Sequence, residues 1–343
     1  MLFPLDLDYE EWKTLCRENW SEPSYRADQV CSWLYTRREF SFESMTNLSL
    51  QLREKAAKTF GAALPERMRL EVSKRDGTQK NLWRLKDGET VESVLLNQEG
   101  RKTACISTQV GCPLDCAFCA TGQSGFVRNL ACGEITGQFL AMEKAIGGPI
   151  DNLVFMGMGE PLLNLEAFMK AVGNLKHPKM RNLGARRMTV STAGVVPGIL
   201  ALADAGLGIR LAVSIHAPDD SLRERLMPVN RKYPLSEVFR AIKVFQEKTN
   251  DRVSIEYMLI EGVNDSPSEA LALARRLEGL KSYVNLIPCN ATCPEYRKSA
   301  PPRVEQFRNV LASRGIEAEV RRERGEDINA ACGQLRKKEG RGK

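Results

Sequence analysis

Histidine is almost missing from this sequence. His177 and His216 are the only two in 343 residues, which excludes a histidine-built metal centre and leaves cysteine and carboxylate to hold any metal. Long apolar runs are missing as well: the longest, 195–215, is cut by Pro197, Asp204 and Arg210, so no segment reads as membrane-spanning. The first thirteen residues place four acidic side chains before the first lysine and lack the basic start and apolar run of a secretory signal. A cytoplasmic chain with no membrane partner is therefore expected. There is no internal repeat and no long low-complexity segment; only 336–343 forms a short basic tail, expected to fray.

Cysteine, by contrast, is plentiful. Ten cysteines in a mid-sized chain without an export signal point to metal or catalytic use rather than to disulfides. Lys and Arg number 50 against 43 Asp and Glu, and the formal charge of +7 mildly favours a polyanionic partner. The length predicts about two domains, and 43% hydrophobic content suffices for a sizeable core.

Residues 1–65 carry apolar side chains at helical spacing, as in Trp12, Leu15 and Cys16 and again in Val30, Trp33 and Leu34, which predicts a small helical domain. Over 66–102 the pattern alternates around two turns, Asp76-Gly77 and Asp87-Gly88, as β-hairpins do, and this stretch is expected to be a linker. From 103 to 320, strand-like runs at 104–108, 152–156, 187–191, 210–215, 253–259 and 283–287 alternate with helical patterns. The fold class expected is α/β, a partial (β/α)6 barrel preceded by the helical domain and the β-hairpin linker. A C-terminal segment, 321–343, follows. In such sheets ligands collect at the C-terminal ends of the strands.

Gly111-Cys112-Pro113-Leu114-Asp115-Cys116-Ala117-Phe118-Cys119 follows the first barrel strand and puts three thiols on one loop. Iron-sulfur cubanes normally take four thiolates, so three leave one iron open to an exogenous ligand. A zinc site would need a fourth ligand nearby, and no second CxxC pair occurs. The open iron in enzymes of this kind chelates S-adenosylmethionine, whose reductive cleavage yields a deoxyadenosyl radical. Gly157-Met158-Gly159-Glu160-Pro161 lies past the second strand, where glycines let backbone approach a ligand and Glu160 can accept from an ammonium. Ser191, Ser214, His216 and Asn290 are further polar side chains at the same rim, suited to ribose and adenine edges. Cys105 sits on the first strand, and Cys332 lies between Ala331 and Gly333, where a substrate can come close. Cys16, Cys31 and Cys132 fall in helical patterns and are expected to be buried or incidental.

These motifs, with Tyr25-Arg26-Ala27-Asp28-Gln29 and Met45-Thr46-Asn47-Leu48 near the start and Ala330-Ala331-Cys332-Gly333-Gln334-Leu335 near the end, give the chain a close resemblance to the RlmN group of the RlmN/Cfr radical S-adenosylmethionine RNA methyltransferases. The resemblance implies methylation of adenine C2 in 23S ribosomal RNA, at the peptidyl-transferase centre, and in transfer RNA next to the anticodon. It implies one 4Fe-4S cluster on Cys112, Cys116 and Cys119, and two S-adenosylmethionine molecules per turnover, contacted by Gly159, Glu160, Ser191, Ser214, Ile215, His216 and Asn290. Cys332 matches the cysteine that is first methylated on sulfur, Cys105 the resolving cysteine that forms a transient disulfide with it, and Glu92 the acceptor of the C2 proton. The helical domain matches an RNA-binding accessory domain; an electron donor such as flavodoxin and a monomeric state are further implications. The run Ile287-Pro288-Cys289-Asn290-Ala291-Thr292-Cys293-Pro294 departs from the family, which often has an aromatic residue and a proline around the asparagine. Cys289 and Cys293 supply only two ligands for a second metal, and their role is open. Two other activities stay open: a Cfr-type C8 methyltransferase, and a non-catalytic iron-sulfur RNA-binding protein.

Overall fold

A computed structural model describes residues 3–98, 100–290 and 295–335. The basic tail at 336–343 and Cys293 lie outside the described residues.

The helical domain contains α1 (Tyr9–Thr14), α2 (Tyr25–Cys31) and α3 (Leu50–Thr59). Asp8 starts α1 by accepting the amide of Glu11, and Glu11 returns the bond to the amide of Asp8, a reciprocal capping box. Trp12, Trp20, Phe42 and Phe60 pack as one aromatic cluster at its centre, with Trp12 and Phe60 ring centroids 5.1 Å apart. Cys16 and Cys31 are fully buried beside it, as the helical pattern predicts.

The two predicted hairpins are strands β1 (Glu66–Val72), β2 (Gln79–Arg84) and β3 (Thr90–Gln98), followed by β4 (Arg101–Cys105). Two short strands, β5 (Gln109–Gly111) and β6 (Phe126–Asn129), pair with each other and flank α4 (Ala120–Gln123). The barrel continues as α5 (Cys132–Ala145), β7 (Asn152–Phe155), α6 (Leu165–Lys176), β8 (Met188–Thr192), α7 (Val196–Ala205), β9 (Arg210–Ser214), α8 (Asp220–Leu226), α9 (Leu235–Thr249), β10 (Val253–Leu259), α10 (Pro267–Leu277), β11 (Ser282–Pro288), α11 (Pro301–Ser313) and β12 (Ala318–Val320). Ten strands form a single sheet in the order β1-β2-β3-β4-β7-β8-β9-β10-β11-β12, with every pair from β4 to β12 parallel. That is the expected partial barrel, open at β1 and β12, with the short β12 added to the six parallel strands predicted.

The hairpins are part of this sheet. β3 pairs antiparallel with β4, Val94 opposite Cys105, so 66–102 extends the barrel wall where a connecting linker was expected. The first barrel strand also sits three residues earlier than the expected 104–108, because it starts straight after the turn from β3. Ile106 still bonds the β7 side, its amide to the Val154 carbonyl at 3.1 Å; beyond it the chain leaves the ladder, and the Ser107 amide bonds the Gln138 side chain instead.

The helical domain is fastened to the barrel. Glu143 of α5 is fully buried and accepts from Arg38 at 3.0 Å and from Arg181 at 2.6 Å, while the Gly133 amide donates to Asp6 at 2.6 Å. A side chain at Gly133 would collide with the Phe3 ring, so glycine is required for this approach.

Candidate active site

Strand polarity decides which residues meet. β3 runs opposite to the parallel strands, so its first residues lie at the rim where those strands end. Successive side chains alternate faces, and the register puts Glu71, Lys80, Val94 and Cys105 in one row across β1, β2, β3 and β4. Glu92 is on the same face, one pleat nearer the rim. The opposite face packs on the helices, where Trp83 donates to Ser93 at 2.6 Å. Glu92, whose side chain would be exposed on an ordinary edge strand, is 1% exposed here. Its backbone is fixed by Ser107, whose hydroxyl donates to the Glu92 carbonyl at 2.6 Å, and Ser107 in turn accepts the amide of Met158.

The three-cysteine loop connects β5 to α4. Gly111 enters it at φ +77°, with the Gly125 carbonyl where a side chain would project. The Cys112 amide then donates to that carbonyl at 3.1 Å, and Cys119 to the Cys116 carbonyl at 3.0 Å. Burial pushes the Cys112 thiol up to about 12 and Cys116 well above its ordinary value, and the Cys119 sulfur beside them raises both further. Such thiols are poor thiolates on their own and good ligands once a cationic iron takes the proton's place. Among the described residues, no three Cys, His, Asp or Glu side chains converge to hold a single metal ion. A cubane makes a different demand, since its thiolates bind separate irons. The three clustered thiols therefore fit an iron-sulfur cluster better than zinc.

The rim around this loop carries the predicted cofactor residues. Glu160 is buried, accepts the amides of Ala193 at 2.7 Å and Leu162 at 3.1 Å, and is held up at about 7 by burial. Gly159 (φ +100°) and Gly157 are glycines for a reason other than a ligand: a side chain at either would strike Gln109 or Ile106 of the neighbouring strand end. His216 also has positive φ, at 56°, and its Nδ1 accepts the Met258 amide at 2.9 Å, which leaves the ring proton on Nε2. Burial, with Arg223 nearby, depresses its pKa to about 3. Ser191 and Ser214 end β8 and β9 half-buried, and Ile215 is fully buried behind them. Asn290 follows β11; its Oδ1 is buried without a partner among the described residues, an acceptor aimed into the rim and suited to a bound amino group.

Cys332 closes the site from the C-terminal side. Its carbonyl accepts the Asn290 side-chain Nδ2 at 2.9 Å, and the next carbonyl, of Gly333, accepts the Ala120 backbone amide at 2.8 Å beside the cysteine loop. Cys105 is pushed up to about 12, first by burial and then by the Cys332 sulfur, with Arg321 opposing the rise. The two free cysteines and the Arg321 guanidinium thus lie within electrostatic reach of one another, and Arg321 lies 4.0 Å from the buried Glu256.

Three residues of this site carry no sequence signal. Arg223 is fully buried and donates to the carbonyls of Ala193 (2.6 Å), Ser214 (3.2 Å), Ile215 (3.3 Å) and Tyr233 (3.3 Å) and to the Asn230 side chain, tying together the strand ends that form the rim. Lys80 and Arg321 are the others; read along the chain they look like ordinary surface cations. Cys289 is buried, and Cys132 is buried at the start of α5.

Two family models match this chain: the radical SAM superfamily over 106–274 and the ribosomal RNA large subunit methyltransferase N-terminal domain over 5–60. A "probable dual-specificity RNA methyltransferase RlmN" from Thermotoga neapolitana is 52% identical over 97% of both chains. The chain belongs to the RlmN family of radical SAM RNA methyltransferases. The RlmN protein of Thermotoga maritima is 50% identical over 97% of each chain. The crystal structure of a radical SAM methyltransferase from Sphaerobacter thermophilus superposes with a TM-score of 0.93 at 42% identity, covering 98% of this chain and 99% of that one. The RlmN match at 5–60 falls on the helical domain, and the radical SAM match begins just after Cys105. No helix among the described residues is long and apolar enough to cross a membrane.

Proposed function

We propose that this enzyme methylates C2 of adenosine in 23S ribosomal RNA and in transfer RNA through an S-methylcysteine at Cys332. The observation that carries this reading is one juxtaposition: Cys332, bonded through its carbonyl to Asn290 of the cofactor rim, lies within electrostatic reach of Cys105, on the strand face that bears Glu92. Cys112, Cys116 and Cys119 would hold a 4Fe-4S cluster, and Glu160, Ser191, Ser214, Ile215, His216 and Asn290, with the Gly159 backbone, would hold S-adenosylmethionine. When bound there, this pair supplies a deoxyadenosyl radical on one-electron reduction.

The chain's own residues do the rest. Cys332 sulfur takes a methyl group from one S-adenosylmethionine by displacement. The S-methyl group of Cys332 would then give up a hydrogen atom to that radical, and its methylene carbon would bond to adenine C2. The adduct then gives one electron to a one-electron acceptor and its C2 proton to Glu92, restoring the aromatic ring. Cys105 attacks the Cys332 sulfur and gives up its thiol proton in doing so; the sulfur–carbon bond breaks with its electron pair on the methylene carbon, which takes up one proton in exchange, and a Cys105–Cys332 disulfide remains. An external dithiol or reductase resets it. Cys105 at rest is protonated, which protects the pocket from a premature disulfide.

An unstacked adenosine has to enter this pocket. We assign its recruitment to the helical domain, where the exposed Arg37 stacks on Trp33 at 4.1 Å and Lys58 is exposed. The radical chemistry and the RNA substrate both suit the reducing cytoplasm.

The test is methylation of isolated ribosomal and transfer RNA by the anaerobically reconstituted enzyme, with the methyl position read by mass spectrometry and NMR after digestion. A methyl at C8 would instead assign the Cfr-type activity, and absence of deoxyadenosine would reduce the protein to an RNA-binding module. Arg37→Glu with Lys58→Glu should weaken RNA binding and its salt dependence together, with deoxyadenosine formation retained.

A further inference from the structure

We infer that Lys80 is a positioning residue for the transfer step, fixing the Glu92 carboxylate in its ionised form and locking it to the loop that carries Cys332. The inference rests on the reading of Glu92 as the acceptor of the C2 proton.

Lys80 is 4% exposed. An ammonium so placed is unfavourable unless charge and hydrogen-bond partners surround it, and here they come from three directions. Glu71, its direct partner across β1 and β2, lies 2.9 Å away. Glu92, one pleat along on β3, lies 3.8 Å away. The carbonyls of Ile328 and Asn329 accept its remaining protons. The last two belong to the loop that leads into Cys332, and the β1–β2 turn holds the same loop through the Lys74 amide on Asp327 (3.1 Å) and Asp76 on the Gly325 amide (2.9 Å).

A lysine serving only to close the loop would need its carbonyls and Glu71. The second carboxylate makes the difference. A base can take the C2 proton only while it is ionised, and a carboxylate that is 1% exposed is stabilised in that form by a cation beside it. Because one ammonium serves both Glu92 and the Cys332 loop, base and methyl carrier are placed together.

The experiment uses the full chain, reconstituted with iron and sulfide and supplied with S-adenosylmethionine, reductant and a 23S ribosomal RNA transcript. Three readouts are taken for Lys80→Met, Lys80→Arg and Glu92→Gln: the mass of the Cys332 peptide, the fraction of protein linked to RNA on a denaturing gel, and methylated RNA released. Lys80→Met should keep its cluster absorption and its methyl on Cys332, accumulate the protein–RNA adduct, and release product about 100-fold more slowly, the size expected when a base is lost. Lys80→Arg should restore release. The inference fails if Lys80→Met releases RNA at the wild-type rate, or if it loses Cys332 methylation and Lys80→Arg does not recover it, which would make Lys80 a structural residue. If Glu92→Gln itself releases product normally, the base assignment falls first and this inference with it.

Discussion

Asn290 donates its side-chain amide to the backbone carbonyl of Cys332 at 2.9 Å, so a residue of the cofactor rim holds the proposed methyl acceptor in place. Asn290→Asp keeps the shape but swaps the donor for a charge facing that carbonyl. We expect formation of S-methyl-Cys332 to fall about tenfold, the equivalent of one lost hydrogen bond of about 1.4 kcal/mol, with cluster absorption unchanged. Mass spectrometry of the Cys332 peptide measures it.

Each of Cys112→Ala, Cys116→Ala and Cys119→Ala should abolish the visible absorption of the cluster, because a three-thiolate site has no spare ligand. Iron and sulfide analysis after reconstitution gives the readout, and full occupancy in any of the three would count against the site.

Cys105→Ala should trap the enzyme covalently on RNA, since the adduct forms but no thiol remains to break the sulfur–carbon bond. A denaturing gel under turnover conditions shows the retarded species. Recovery of free RNA alone removes Cys105 from the resolving role.

His216 has a folded-state pKa of about 3, below the unfolded value of 6.5. The unfolded chain therefore binds the proton more readily, and the stability contributed by neutral His216 is complete above pH 6.5 and is lost as pH falls toward 3. At pH 5 the loss from this group is about 2 kcal/mol. Urea unfolding at pH 7 and pH 5 should show that gap shrinking in His216→Asn, whose side chain can accept the Met258 amide without titrating.

Glu143→Gln should destabilise the whole chain by about 3–5 kcal/mol, because Arg38 and Arg181 would face a neutral amide in a buried site. Arg38 comes from the helical domain, so thermal unfolding of this variant also reports how firmly that domain is docked. Removing residues 1–65 would strip the same contact and uncover the barrel where Asp6 and Phe3 pack. Point substitutions at the exposed Arg37 and Lys58 are thus the better probe of RNA recruitment.

Much of this molecule was legible before its coordinates. The strand at Val253–Leu259 matches its predicted bounds, since a run with no glycine or proline reads plainly as a buried parallel strand. The hairpin turns at Asp76-Gly77 and Asp87-Gly88 were equally clear. What the sequence hid was where the hairpins go. Turn signals fix local pairing, whereas the pairing of Val94 with Cys105 that makes 66–102 a wall of the barrel is a tertiary choice. Helices α7 and α8 carry the weakest local signals: the first lies inside an apolar run with little polar face, and the second is only seven residues long. The cysteine loop announced itself by spacing, and Glu92, Cys105 and Cys332 only by resemblance. Lys80 and Arg223 gave no signal because a buried cation looks like a surface one until its partners, brought from distant segments, are seen around it.

Those distances also set an order in time. The bonds that complete the Cys332 loop join residues 253 positions apart, from Lys74 to Asp327, and 214 apart, from Thr121 to Leu335. A chain emerging from the ribosome can fold its helices, hairpins and most of its barrel while these partners are still unmade. Until residues 325–335 have docked, the Ala120 amide and the Thr121 hydroxyl lack the Gly333 and Leu335 carbonyls that accept from them. The site is thus assembled late: it is complete only once the segment carrying Cys332 has reached partners more than 200 positions earlier in the chain.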